Sequence, residues 1–197
     1  RGVEASPPGL VANSPVTLSG LVYTARLDLS DLNSHHADLI SAFAHAFRDR
    51  ADATLLMRIA TTSGARSQAL LELEQAIRSP GLNPSCRFVV IDDDAESHAE
   101  DDIMRATTYV VDAKGSHGEV GCLIEALSAG RPVLGPSHTA AGEWMTEEVG
   151  FVIPSHPEPA AWTIDPEAKH RTTSYRNVWS DLRDAFIRSA EIADGAP

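Results

Sequence analysis

The residues best suited to chemistry lie in one run, Asp112-Ala113-Lys114-Gly115-Ser116-His117-Gly118-Glu119-Val120-Gly121, which leaves an apolar segment and enters a helical pattern. Its three glycines allow positive φ and close backbone approach. The N–H groups that open the following helix lack intrahelical partners and attract an anion, typically a phosphate. The order is neither G-x-G-x-x-G nor a P-loop, because Lys114 precedes the glycines and no Gly-Lys-Ser/Thr follows. Ser116 and His117 are adjacent, but the G-x-S-x-G of a hydrolase elbow is missing. The acidic run Asp92-Asp93-Asp94, with Glu96, Glu100, Asp101 and Asp102, lacks the glycine and alternating ligands of an EF-hand and reads as a solvated loop and helix start. His35-His36 has no third ligand nearby, and no metal site is expected.

Presenting such a loop requires strands that end at it and helices that start from it. Apolar runs at residues 16–25, 54–59, 87–91, 108–112, 132–134 and 151–153 predict six strands, the first buried on both faces by its composition. Between them, helical spacing is carried by Leu39, Ile40, Phe43 and Phe47, by Leu70, Leu71, Leu73 and Ile77, by residues 103–106, by Leu123 to Leu127 ahead of Ala129-Gly130, and by residues 141–147. Strands alternating with helices predict a doubly wound α/β fold, because parallel strands need crossover connections. Residues 1–15 read as an irregular lead-in and 16–197 as one Rossmann-like domain. Residues 154–173, rich in proline and polar side chains, are expected to be irregular. Beyond them, Val178, Leu182, Ala185, Phe186 and Ala190 give a helix over 178–192 that docks back on the domain.

Residues 117–136, H-G-E-V-G-C-L-I-E-A-L-S-A-G-R-P-V-L-G-P, resemble the sugar-nucleotide motif of GT-B glycosyltransferases of the retaining, family-four type, the glycosyl transferases of group 1. The likeness continues in Tyr23-Thr24-Ala25-Arg26 with Asp31, in Asp38 to Phe43, in Thr107 to Val111, and in His138-Thr139-Ala140 with Glu143-Trp144-Met145. It implies the C-terminal, donor-binding half of a GT-B architecture. The substrate would be a nucleotide-diphosphate sugar, used without cofactor or catalytic metal, and the partner an N-terminal acceptor-binding domain. By the same resemblance Glu125 takes the place of the motif Glu that holds the nucleotide ribose. Gly118, Val120, Gly121, Cys122 and Leu123 bring backbone N–H groups to the diphosphate and sugar, and backbone around Asp92 lies near the nucleobase. The position of the first motif Glu, at the reacting sugar, holds His117; Glu119 fills it if the loop is two residues shorter. The basic pair that often follows the first turn is replaced by Asp31-Leu32-Asn33-Ser34-His35-His36. Phosphate charge would then rest on the helix N-terminus, on Arg26 and Arg58 at strand ends, and on His35 or His36 when protonated.

Sixteen basic and 28 acidic residues give a net charge of -12, which repels nucleic-acid backbones and anionic headgroups. No apolar stretch approaches the roughly 18 residues that span a bilayer, and no signal pattern is seen, so a cytoplasmic location is expected. Cys86 and Cys122 stand apart without C-x-x-C spacing and read as reduced core thiols. Two rival readings remain open on the sequence. One is a member of the same fold that binds without catalysing transfer, favoured by His117 and Asn33-Ser34. The other is a receiver-like signalling domain suggested by Asp92 to Asp94, against which Pro136-Ser137-His138 stands where a receiver has a lysine.

Overall fold

The computed structural model describes residues 17–29, 35–60, 66–78, 81, 83–92, 100–112, 120–161, 165, 167 and 169–195. Strand β1 (Leu21–Asp28) begins later than its apolar run. Gly20 stands just before it at φ +79°, where a Cβ would strike the carbonyl oxygen of Asp52, and this kink sets the strand's start. Helix α1 (His36–Ala46) buries Leu39, Ile40 and Phe43 as their spacing predicts, and Phe47 caps it. Then follow β2 (Ala53–Ala60), α2 (Arg66–Arg78), β3 (Arg87–Asp92), α3 (Glu100–Ala106), β4 (Tyr109–Val111) and α4 (Gly121–Ser128). Helix α4 stops at Gly130, whose φ of +67° lets its N–H reach the Leu127 carbonyl and that of Arg131 reach Ala126. After β5 (Val133–Pro136), the helix expected over 141–147 is instead a single 3-10 turn, Thr139–Glu143, and β6 (Gly150–Ile153) completes the sheet.

The six strands are all parallel, in the order β3-β2-β1-β4-β5-β6. The order reverses between β1 and β4, and the crevice at such a reversal is where open α/β sheets bind ligands. Helices cover both faces. On one, Tyr23, Phe43, Phe47, Tyr109 and Phe186 pack ring against ring, with centroids 4.8 to 6.0 Å apart. On the other, Val110 and Val133 meet Leu123 and Ala126 of α4, while Val22, Leu56 and Val89 meet Ile103 of α3. Helix α5 (Trp179–Ala193) docks on the first face beside α1, as its periodicity predicts.

The stretch expected to be irregular is a β-ribbon for much of its length. Strand β7 (Ser155–Ala161) pairs antiparallel with β8 (Arg171–Asn177). Its prolines fit because they alternate: Pro157 faces Tyr175 and Pro159 faces Thr173. Neither has an N–H to give to β8, so both stand at non-hydrogen-bonded pairs with their ring nitrogens turned to the ribbon's outer edge.

Candidate functional site

The strand order reverses between β1 and β4, and α4 follows β4 from the carboxyl end of the sheet. Arg26, near the end of β1, reaches up to this helix. Its Nη1 lies 3.8 Å from Cys122 Sγ and 3.9 Å from Glu125 Oε2. Arg26 is about a third exposed and Glu125 nearly half, so a solute can touch both. A guanidinium, a carboxylate and the first turn of α4 therefore meet at the switch point. Val120 precedes the helix without a side-chain cap, and no acidic residue lies in its first turn to oppose an anion. Gly121 is exposed, Cys122 half-buried and Leu123 fully buried in the core beneath α4.

Other expected site residues lie elsewhere. Arg58 is the register partner of Arg26 on β2, yet its guanidinium is buried and makes a two-pronged ion pair with Glu100, at 2.5 and 2.7 Å. Any phosphate drawing on Arg58 competes with that carboxylate. Asp92 closes β3 at the sheet edge, two strands from Arg26, or about 10 Å by the usual strand spacing. His117, Gly118 and Glu119 fall outside the described residues, as do Asp31 to Ser34.

The first turn of α1 is already engaged. His35 precedes it in the left-handed region, at φ 46° and ψ 36°, with its Nε2 3.9 Å from Glu158 of β7. His36 donates from Nε2 to the Asp28 carbonyl at 2.8 Å. Arg176 of β8 grips Asp38 with Nε and Nη2 at 2.7 and 3.1 Å, and this hydrogen bonding raises its already high pKa further. On the far side of the crevice, His138, just past β5, stacks on Tyr175 of β8 with ring centroids 4.3 Å apart. The ribbon is thus fastened to both banks. None of Asp38, Arg176, Glu158 or Tyr175 is marked as a site by the sequence, because the ribbon that joins them is not legible there.

Both cysteines are free thiols. Burial pushes the Cys86 thiol up to about 12, as befits an inert core residue, whereas Cys122 belongs to the crevice and not to the core. Among the described residues no cluster of His, Cys, Asp and Glu is arranged to hold a metal, and no helix is long and apolar enough to cross a membrane.

No protein-family model and no curated protein matches the chain. Solved structures do. The C-terminal domain of a glycosyl transferase group 1 family protein from Francisella tularensis matches with a TM-score of 0.50 and 17% identity over 88% of this chain and 84% of that one. WaaG, a glycosyltransferase involved in lipopolysaccharide biosynthesis, matches at 0.55 and 15% identity over 91% of this chain and 40% of its own. For α,α-trehalose 6-phosphate synthase from Burkholderia multivorans the values are 0.56 and 13%, over 87% and 35%. The chain therefore spans well under half of these two longer proteins. At such identities the likeness is one of architecture, and the architecture is that of the C-terminal Rossmann-like domain of GT-B glycosyltransferases.

Proposed function

We propose that this chain is the donor-binding domain of a glycosyltransferase and takes a nucleoside-diphosphate sugar at the start of α4. The observation that carries the reading is the meeting of Arg26, Cys122 and Glu125 at the β1/β4 switch point. Glu125 offers two acceptor oxygens to the vicinal hydroxyls of a ribose, a charge-assisted pairing that a deoxyribose halves. Arg26 and the first amides of α4 meet the diphosphate. The helix terminus alone supplies about 0.3 to 1 kcal/mol at an exposed site and up to about 2 when partly buried, so the guanidinium is needed. In the transfer step an acceptor hydroxyl oxygen bonds to the anomeric carbon as the bond from that carbon to the diphosphate breaks, the hydroxyl proton passes to the departing diphosphate or to solvent, and Arg26 with the α4 amides stabilises the departing charge. His117 and Glu119 are the groups assigned to the reacting sugar.

Titration calorimetry with UDP, GDP and ADP tests this. At least one is expected to bind, and Glu125→Ala to weaken it by roughly tenfold, the size of a lost hydrogen bond to a charged group. Failure of all three to bind the parent chain overturns the reading. A second reading, binding without transfer, is favoured by the pairing of Arg58 with Glu100 and of Asp38 with Arg176, which leaves fewer cations for a leaving diphosphate. It predicts nucleotide binding with no release of UDP from UDP-glucose or UDP-N-acetylglucosamine, even when a separate acceptor-binding domain and acceptor are supplied.

A further inference from the structure

Two guanidiniums stand side by side at the carboxyl end of the sheet, and a carboxylate from an overlying helix answers each. Arg26 of β1 and Arg58 of β2 are register partners on strands about 4.8 Å apart. Val22 and Leu56 of the same strands meet Ile103 of α3, so by the alternation of side chains both arginines leave the sheet on that side. Glu100, the first residue of α3, takes Arg58 with both oxygens, at 2.5 and 2.7 Å. Glu125 of α4 lies 3.9 Å from Arg26 Nη1. Arg58 is almost fully covered and Glu100 half exposed, so this pair turns its negative member toward solvent. Asp101 and Asp102 follow Glu100 in the first turn of α3, and both are exposed.

The two pairs carry no net charge between them, in a chain whose charges sum to -12. An anion seated against α4 draws on Arg26, but the second guanidinium is already neutralised by Glu100. Each further negative charge on the ligand thus adds repulsion from Glu100 without a matching attraction from Arg58. We propose that the two arginine–glutamate pairs select by ligand charge: the site holds a diphosphate esterified at both ends, as in a sugar nucleotide, more tightly than the free nucleoside diphosphate. The doubly esterified form carries two charges, whereas the free form gains a third above the second ionisation of its terminal phosphate, at about pH 6. This rests on the nucleotide reading above for its ligand. Transfer converts the first form into the second, so the product of the step is the weaker ligand.

Calorimetry with UDP, GDP or ADP, each beside the methyl ester of its terminal phosphate, tests this, because the ester removes one charge and brings no sugar to make contacts of its own. At about pH 8 the methyl ester is expected to bind about three- to tenfold tighter, the effect of one partly screened charge. At about pH 5, where the free form has taken up its proton, the two should bind alike. Equal or tighter binding of the free diphosphate at the higher pH means that a further cation meets its terminal phosphate; it overturns the proposal and leaves the nucleotide reading standing. If neither form binds, both fall. Glu100→Gln should narrow the ratio at the higher pH by raising the affinity of the free form the more. Asp184→Asn, the same charge change on α5, should leave the ratio as in the parent, and an equal shift in both variants would assign the selection to overall charge and overturn the role of the pairs. Thermal melts check that each variant is folded, and the comparison of the two ligands on the parent chain decides the proposal even where Glu100→Gln is not.

Discussion

Arg26 and Arg58 leave the same side of adjacent strands at the same level, yet their surroundings divide them. Arg58 is almost fully covered and answered by Glu100, whereas Arg26 keeps a third of its side chain in solvent and meets groups on α4. The pairing of Arg58 stabilises the sheet at the expense of anion attraction. Glu100→Gln is therefore expected to lower stability by about 1 kcal/mol, since Glu100 is half exposed, and to tighten UDP binding by releasing positive charge next to the site. A denaturant melt and a titration check it; equal stability with unaltered affinity would contradict the division of labour. At this scale the place of Glu125 on a helix and of Arg26 near a strand end was legible, because a helical motif and a strand end announce themselves in order along the chain. The pairing of Arg58 with Glu100 was not. Glu100 reads as part of a solvated acidic run, and Arg58 is 42 positions away, brought to it only when α3 covers the sheet.

Elements carry the next layer. The parallel strands and most of the amphipathic helices follow from runs and spacing that are local, and they form where expected to within a few residues, with β1 shifted by the kink at Gly20 and the helix expected over 141–147 reduced to a 3-10 turn. The β7–β8 ribbon was missed because its signal is not local: prolines forbid a central strand, and only the partner's position reveals that Pro157 and Pro159 face away from it. Helix α5 is tied down at its end by Arg50, whose Nη1 and Nη2 hold Asp194 at 2.7 and 2.8 Å and whose Nε holds Asp52 at 2.9 Å. Hydrogen bonding to Arg50 keeps both carboxyls below their ordinary value of 3.8. Between the depressed and ordinary values the unfolded chain binds more protons than the folded one, so stability rises with pH there. The contribution is complete above the ordinary value and is lost as pH falls through the folded values. Urea melts should thus show Arg50→Ala less stable than the parent at pH 6, with the gap narrowing as the pH falls below 3.8; a gap independent of pH would count against this tie.

At the scale of the whole molecule, two apolar layers sandwich one parallel sheet, and its two halves meet at the β1/β4 crevice. That much follows from alternation of strand and helix, while the fastening of the crevice does not. The ribbon joins α1 through Arg176 and Asp38 to the segment after β5 through Tyr175 and His138, and so ties the two banks of the crevice together. The ribbon is also a small sheet with edges of its own, which sets a hazard of association. A bare edge invites a strand from another copy. Along β7 that invitation is withdrawn at every second residue, because Pro157 and Pro159 turn ring nitrogens outward where amide hydrogens would stand. Replacing both with threonine should leave the fold and its melting temperature close to the parent's but make light scattering rise with concentration and time. Unchanged scattering would show that the prolines serve some other end. Two residues that look like interruptions of a strand are on this account what keeps one molecule from becoming many.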